Sequence, residues 1–331
     1  MKEKLILIVI LVLIISCGND NERAPKKAIK TKTVANSQPK IEKPDFNADS
    51  AYLYVKQQVD FGPRFPNNKA HGKCAIFLEK KLKSFGLQTL TQTGTAKTFN
   101  NKTITIKNII GAYNLEATKR ILLFAHWDSR PFADQDTKKM TQPILGANDG
   151  ASGVGVLIEV ARQLSITQPK IGVDIIFFDA EDYGQPAGIT ESNSDSWCLG
   201  SQYWSKNLHT KNYTADYGIL LDMVGSSDVY FMQEGYSTQY APKIVQKVWS
   251  NAQKLGYGNT FVNRRMGAIT DDHKFVNEIT GIPSIDIIHC QKNHSSFHSS
   301  WHTHNDNMDV IDKTSLGLVG EVLLYTIYQE Q

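Results

Sequence analysis

The sequence has few of the features that mark specialised classes of protein. Only four of its 331 residues are cysteine, and no C-x-x-C pair occurs, so a disulfide scaffold is excluded. With 23 Gly, 11 Pro and 41% hydrophobic residues, the chain is neither collagen-like nor disordered. Its long apolar run, Leu5–Ile15, is shorter than the ~20 residues that span a bilayer. The composition is that of an ordinary globular chain.

Excess positive charge is confined to the N-terminal region. The formal net charge is +3, but nine of the 36 Lys and Arg and four of the 33 Asp and Glu precede residue 44. The rest of the chain therefore carries a net charge of about −2. A body of that charge offers no electrostatic footprint for DNA or RNA, so we expect no nucleic-acid partner.

The N-terminus has the pattern of a secretory signal. The charged start Met1–Lys4 precedes the apolar run, and Ser16 and Cys17 follow it. The ending Ile14–Cys17 resembles a bacterial lipobox, in which the cysteine is lipidated and becomes the mature N-terminus. A plain signal peptide and an N-terminal membrane anchor are the alternatives. We expect a signal peptide over residues 1–17, lipidation at Cys17 and attachment to the membrane through this lipid anchor.

The rest of the chain divides into a linker and one domain. Residues 18–43 are rich in Lys, Asn, Thr, Ser and Pro and have almost no large apolar side chains, which predicts a flexible linker. Residues 44–331 contain no second linker, repeat or low-complexity segment. We therefore expect a single domain over 44–331, and a monomer.

Short apolar runs alternate with helical patterns along this domain. The runs are β-branched and bounded by polar turns, as is typical of strands buried on both faces. Between them, apolar residues recur at helical spacing. This alternation predicts an α/β fold, a three-layer α/β/α sandwich with a mostly parallel central sheet. The predicted strands are Ile104–Ile110, Ile121–Ala125, Val173–Phe178, Tyr217–Met223 and Ser284–Ile288, and the predicted helices are Lys69–Phe85, a stretch around 154–164, Tyr240–Leu255 and Thr314–Tyr328.

Acids and histidines follow the predicted strands. In open α/β sheets the ligand crevice lies outside the carboxyl ends of the strands. Carboxylates gathered there repel one another unless a cation or shared protons intervene, and carboxylates with imidazole suit Zn²⁺. The sequence therefore predicts a metal site at this edge of the sheet. The residues concerned are His126, Asp128, Asp149, Asp179, Glu181, Asp182, Asp222 and His302.

These residues stand in motifs that resemble a known family. In chain order the motifs are His126-x-Asp, Gly146-Ala-x-Asp-x-Ala-Ser-Gly, Phe177-Phe-Asp-x-Glu-Asp, Leu221-Asp-Met, Asp271-Asp-His and Trp301-His-Thr. Their order is similar to that of the zinc aminopeptidase superfamily. Within it the chain resembles the glutaminyl-peptide cyclotransferases (glutaminyl cyclases), especially the lipid-anchored form of some Gram-negative bacteria. The resemblance covers roughly residues 50–331.

The resemblance implies an activity, a cofactor and a location. The fold would be of the zinc-aminopeptidase type. Peptides or proteins with an N-terminal glutamine would be converted to pyroglutamate with release of ammonia. One Zn²⁺ per chain, held by Asp149, Asp182 and His302, would polarise the γ-carboxamide. The protein would be lipid-anchored in the cell envelope, at the periplasmic face or the outer membrane of a Gram-negative bacterium.

The resemblance also implies roles for side chains around the metal. Glu181 would be the general base and acid, in a hydrogen-bond network with Asp222 and Asp271. An apolar slot would receive the glutamine methylenes, formed by Trp197, Phe297 and Trp301. In two places the chain departs from the animal cyclases: its second ligand is Asp182 instead of Glu, and its loop 184–196, just before Trp197, is longer.

The main alternative is a di-zinc aminopeptidase that hydrolyses N-terminal residues. Every position that two zinc ions would use is filled, including His126 and Asp222. The aromatic residues of the slot favour the cyclase. A second alternative is a tethered binding protein with a relic metal site, which would require a broken ligand set. The segment 289–304 holds five of the nine histidines and could instead be a metal-scavenging tract, from which the Trp-His-Thr match selects His302.

Overall fold

The structure, a computed structural model, describes residues 42–186, 189, 193–292 and 296–330. The predicted signal peptide with Cys17, nearly all of the predicted linker 18–43, and His294 lie outside these residues. Within the described ranges, no helix is both long and apolar enough to cross a membrane.

The described chain contains the predicted strands and helices together with further elements that the sequence did not predict. The helices are α1 (Ala48–Val59), α2 (Lys69–Ser84), α3 (Ala151–Ile166), α4 (Leu199–Lys206), α5 (Gly235–Tyr240), α6 (Pro242–Lys254), α7 (Asp272–Phe275) and α8 (Lys313–Gln329). The strands are β1 (Gln88–Lys97), β2 (Thr103–Tyr113), β3 (Arg120–His126), β4 (Gly172–Phe178), β5 (Tyr217–Asp222), β6 (Phe231–Gln233), β7 (Phe261–Arg265) and β8 (Ser284–Ile288). Helix α2 shows how the sequence sets a boundary: Asn68 caps its first turn, and Gly86 follows its last turn with φ +82°.

The central sheet is mostly parallel. Its strand order is β1-β2-β4-β3-β5-β8, and β4, β3, β5 and β8 run parallel to one another. Strands β1 and β2 form an antiparallel hairpin at one edge. The carboxyl ends of β3, β4, β5 and β8 therefore meet at the same edge of the sheet.

Alternate residues of β3 point to two different hydrophobic clusters. Leu123 belongs to a large cluster with residues of α1, α2, α3, α6 and α8. Its neighbours Leu122 and Phe124 belong to a second cluster with Trp204 of α4. Because successive side chains of a strand face opposite sides, helices cover both faces of the sheet. The predicted three-layer α/β fold is confirmed.

The edge hairpin differs from the sequence prediction. Strand β1 was not predicted, because its Thr- and Gln-rich sequence lacks an apolar run. Along the first half of β2, buried side chains alternate with partly exposed ones, whereas complete burial was predicted. This half of β2 pairs only with the edge strand β1, so only one of its faces is covered. The prediction that all runs are buried on both faces is therefore wrong for this part of β2.

Candidate active site and metal centre

One cavity gathers the residues that the sequence assigns to the site. It has a volume of about 120 Å³ and lies at the carboxyl ends of the parallel strands. All nine predicted catalytic, substrate-binding and metal-binding residues line it: Asp149, Glu181, Asp182, Trp197, Asp222, Asp271, Phe297, Trp301 and His302. The fold thus brings together residues that are more than 150 positions apart.

Three of these residues have possible metal-ligating atoms that lie close together. Donor atoms of Asp149, Asp182 and His302 lie within 4.8 Å of one another, and all three side chains are buried. His302 Nε2 is 3.1 Å from Asp182 Oδ1 and 3.7 Å from Asp149 Oδ2. In the described part of the chain, Asp149 Oδ2 and Asp182 Oδ2 have no hydrogen-bond partner. Burying such oxygens without a partner is unfavourable, and a cation would satisfy them. The set therefore fits a zinc ion.

Two further buried aspartates hold the loops that carry these candidate ligands. Backbone N–H groups of Glu181 and Asp182 donate to Asp128, at 3.1 and 3.3 Å, which fixes the turn after β4. Backbone N–H groups of Asn148 and Asp149 donate to Asp306, at 2.7 and 3.1 Å, which fixes the loop before α3. Sequence reasoning missed Asp306, which follows the Trp-His-Thr motif by a few residues.

A second group of possible ligands adjoins the first and shares Asp149. His126 Nε2 lies 3.0 Å from Asp149 Oδ1 and 3.2 Å from Asp222 Oδ1. The three side chains are buried, and their donor atoms also lie within 4.8 Å of one another. This second group could hold a second metal ion next to the first, with Asp149 shared between the two ions.

Glu181 lies in the densest part of a buried acidic network. Donor atoms of Glu181, Cys198 and Asp271 lie within 4.8 Å of one another. Burial raises the pKa of Glu181 well above its ordinary value, and the charges of Asp271 and Asp182 act in the same direction, opposed by His126. Burial also raises the pKa of Asp222, to about 7, with the charges of Asp149 and Asp271 adding to it against the hydrogen bond with His126. Protons are thus held within this network near neutral pH.

Aromatic side chains form the walls beside the candidate metal ligands. The His302 imidazole stacks with two indoles, and its ring centroid lies 3.7 Å from that of Trp301 and 5.8 Å from that of Trp197. Phe297 packs against Trp301 at 4.8 Å. A side chain entering the cavity would contact these rings on its way to the carboxylates.

The segment that carries Asp271 is held by a buried glutamate. Glu234 caps α5 through the backbone N–H groups of Tyr236 and Ser237, at 2.9 and 2.7 Å. The same carboxylate accepts from the backbone N–H of Ile269 at 2.8 Å and lies 2.9 Å from His273 Nε2. Sequence reasoning missed Glu234, since Ile269 and His273, which it ties to α5, lie more than thirty residues further along the chain.

The other described histidines of the segment 289–304 have partners away from the ligand cluster. His289 Nδ1 is 2.8 Å from Ser226 Oγ, His298 Nδ1 is 2.8 Å from Ser300 Oγ, and His304 Nδ1 is 2.8 Å from Asp136 Oδ2. These contacts agree with the selection of His302 by the motif.

Comparison with known proteins identifies the family. A family model described as peptidase family M28 matches residues 108–327, well over half of the chain. A glutaminyl cyclase of Bacteroides thetaiotaomicron, solved with bound N-acetylhistamine, is 52% identical, with a TM-score of 0.86 and coverage of 88% of this chain and 100% of that chain. A protein of Parabacteroides distasonis described as a Zn-dependent exopeptidase is 51% identical, with a TM-score of 0.85 and coverage of 87% and 99%.

A curated relative points the same way at lower identity. The glutaminyl-peptide cyclotransferase of Gloydius blomhoffii is 26% identical over 250 residues, which cover 66% of this chain and 64% of that protein. The chain thus spans slightly less than two thirds of the length of this relative. From the family model and the solved structures together, the chain belongs to peptidase family M28, and within that family it is similar to the bacterial glutaminyl cyclases.

Proposed function

We propose that this protein is a zinc-dependent glutaminyl-peptide cyclotransferase that acts on peptides or proteins with an N-terminal glutamine. The observation that carries the proposal is the cavity in which a three-residue ligand set, Glu181 and an aromatic wall meet. The similarity to solved glutaminyl cyclases supports it.

The proposed reaction is a ring closure within one residue. The α-amine of the glutamine attacks its own γ-carboxamide carbon, a C–N bond forms, and the side-chain amide nitrogen leaves as ammonia. Because both reacting groups belong to the substrate, the enzyme has to orient them and move protons. A Zn²⁺ ion bound by Asp149, Asp182 and His302 would supply Lewis acidity for the carboxamide oxygen.

Glu181 is the residue that moves the proton in this proposal. It takes a proton from the attacking amine and gives one to the departing nitrogen, so that no net proton is gained or lost. Glu181 precedes Asp182 in the sequence and lines the same cavity. A substrate amide held at Asp149, Asp182 and His302 would therefore lie next to the Glu181 carboxylate, which supports this role. Asp222 and Asp271 share the surrounding network and keep a proton available.

The aromatic wall orients the substrate and excludes water. The glutamine methylenes would pack against Trp197, Phe297 and Trp301, which line the same cavity as the candidate metal ligands. Excluding water matters because a water molecule that attacked the same carbonyl would give glutamate and not the lactam.

We also propose that the protein acts as a monomer tethered to the cell envelope. The signal pattern of residues 1–17, the lipidation site Cys17 and the linker composition of 18–43 support this placement, with 44–331 as the catalytic domain. A Cys17→Ser variant should lose metabolic labelling with a radioactive fatty acid and leave the membrane fraction. Continued labelling would disprove lipidation at this cysteine.

A di-zinc aminopeptidase is the second candidate, favoured by the additional donor group His126, Asp149 and Asp222. The decisive experiment incubates the zinc-loaded protein with a Gln-initiated dipeptide and, in parallel, with a Leu-initiated one. The cyclase releases ammonia and lowers the mass of the first substrate by about 17 Da, the mass of NH₃, while leaving the second intact. Release of free leucine without cyclisation would replace the proposal by the aminopeptidase.

A further inference from the structure

Arg130 is a buried cation that the proposed reaction does not use. It follows β3 in the loop after Asp128, and its side chain is fully buried. Burying a guanidinium requires that its donors be paired and hydrogen-bonded. The partners of Arg130 show where its charge is needed.

One side of the guanidinium forms a bidentate ion pair with the Asp134 carboxylate. Nε and one terminal nitrogen donate to the two oxygens of Asp134, at 2.6 and 2.9 Å, in a bidentate pair. Asp134 Oδ1 in turn lies 3.4 Å from His302 Nδ1. The Asp134 carboxylate thus lies at the edge of the imidazole opposite Nε2, and Nε2 faces Asp149 and Asp182. The backbone adds a second tie, since the N–H of Gln135 donates to the carbonyl of His302 at 3.2 Å.

The other terminal nitrogen reaches the second ligand directly. It donates to the backbone carbonyl of Asp182 at 2.9 Å and lies 3.4 Å from Asp182 Oδ1. A longer contact of 3.4 Å joins it to the carbonyl of Gly184, two residues further on. The same cation therefore contacts the turn after β4 and, through Asp134, the loop of His302.

The flat face of the guanidinium supports the aromatic wall. Its central carbon lies 4.6 Å from the ring centroid of Trp197 and 5.5 Å from that of Phe132. A planar cation over an indole is a favourable cation–π arrangement, which a lysine ammonium could not reproduce together with the fork on Asp134.

We infer that Arg130 is a positioning residue that ties the ligands Asp182 and His302 and the wall residue Trp197 into one unit. The inference rests on the proposed function only in taking Asp182 and His302 as metal ligands. It assigns to Arg130 no contact with the substrate.

The test is the zinc affinity of Arg130→Lys, measured on metal-free protein by competition with a chelating indicator. Lysine keeps the charge but loses the fork and the stacked face, so we expect the zinc dissociation constant to rise about ten- to a hundredfold, as for other partners of metal ligands. Asp134→Asn should raise it by a similar factor, because an amide has one acceptor oxygen and so weakens both the bidentate pair with Arg130 and the contact to His302.

The matched control is Arg120→Lys, at the opposite end of β3. Arg120 makes the same bidentate pair, with Asp174 at 2.9 and 2.6 Å, far from the cavity. Arg120→Lys should lower the free energy of unfolding in urea by about as much as Arg130→Lys does, but it should keep the wild-type zinc affinity. Wild-type zinc affinity in both Arg130→Lys and Asp134→Asn, or an equal loss in Arg120→Lys, would overturn the inference. Because the readout is zinc binding, the inference can fail while cyclisation is observed, and it can stand where cyclisation is absent.

Discussion

The thiol of Cys198 donates a hydrogen bond to Glu181 Oε1 across 3.2 Å. The backbone N–H of Cys198 also donates to the carbonyl of Glu181, at 2.9 Å. Burial, together with the charge of Glu181, raises the pKa of this thiol well above its ordinary value, so the sulfur keeps its proton and acts as the donor. The thiol therefore holds the proposed base in one orientation.

Replacing Cys198 with alanine should lower kcat roughly three- to tenfold, the effect of losing one hydrogen bond of about 1 kcal/mol. Cys198→Ser, which restores a donor, should recover part of the loss. Steady-state kinetics with a Gln-initiated peptide would measure both. Cys74→Ala removes a buried thiol of α2 and serves as the control. A kcat for Cys198→Ala equal to that of the control would show that the hydrogen bond does not assist Glu181.

Glu181→Gln should retain zinc but lose at least a hundredfold in kcat, because proton transfer by a positioned side chain contributes about 10²- to 10⁴-fold. Metal analysis of the purified variant checks the first expectation, and ammonia release checks the second. Near-normal turnover in this variant would remove Glu181 as the base.

Removal of the metal with a chelator should abolish activity and lower the melting temperature by several degrees while the protein stays folded. An ion that binds only the folded state stabilises it by about 4 kcal/mol at a thousandfold excess over its dissociation constant. One equivalent of Zn²⁺ should restore activity and melting temperature together. Asp182→Asn should lose the thermal shift, and Asp216→Asn, on the surface, should keep it. A requirement for two equivalents would favour the di-zinc alternative.

Gly184→Ala should raise KM for a Gln-initiated peptide about tenfold with a smaller change in kcat. A Cβ at this position would overlap the Trp197 indole, and the ring would have to leave the wall of the cavity. Gly258→Ala is a suitable control, because its Cβ would meet nothing nearer than 3.4 Å. An unchanged KM would mean that Trp197 does not contact the substrate.

Acid should weaken the anchoring of the Asp271 segment through Glu234. Burial alone would raise the pKa of Glu234, but the hydrogen bond and charge of His273 and the two capping N–H groups lower it from 4.5 to about 2. A depressed pKa stabilises the fold above pH 4.5, and this contribution is lost as the pH falls towards 2. It amounts to about 3 kcal/mol at neutral pH.

Urea unfolding at pH 6 and pH 3 would measure this contribution. The stability difference between wild type and Glu234→Gln should roughly halve from the higher to the lower pH. Glu278→Gln, on the surface, should give a small difference at both. A wild-type advantage that is constant over this range would contradict the assigned cause.

The parts of the fold and site that the sequence predicts are those with a local signal. Strands β3, β4, β5 and β8 are predicted, because each contains a short run rich in apolar and β-branched residues, and their ends place the acidic motifs together. The contact of Cys198 with Glu181 is not, since it depends on a left-handed backbone at Cys198 (φ +56°) for which a cysteine gives no signal. Arg130 was missed for a related reason: a charged loop residue is expected in solvent, and only the tertiary structure surrounds it with partners.

The proposed ligand set of two carboxylates and one imidazole has a practical consequence for anyone handling the protein. Without a thiolate among them, such donors discriminate poorly between first-row divalent ions, whose affinities generally increase from manganese to copper. Which metal ion occupies the site would then depend more on which ions are available during expression and purification than on the affinity of the site for zinc. A preparation eluted from a nickel column could carry nickel, so elemental analysis of each batch should precede any comparison of rates.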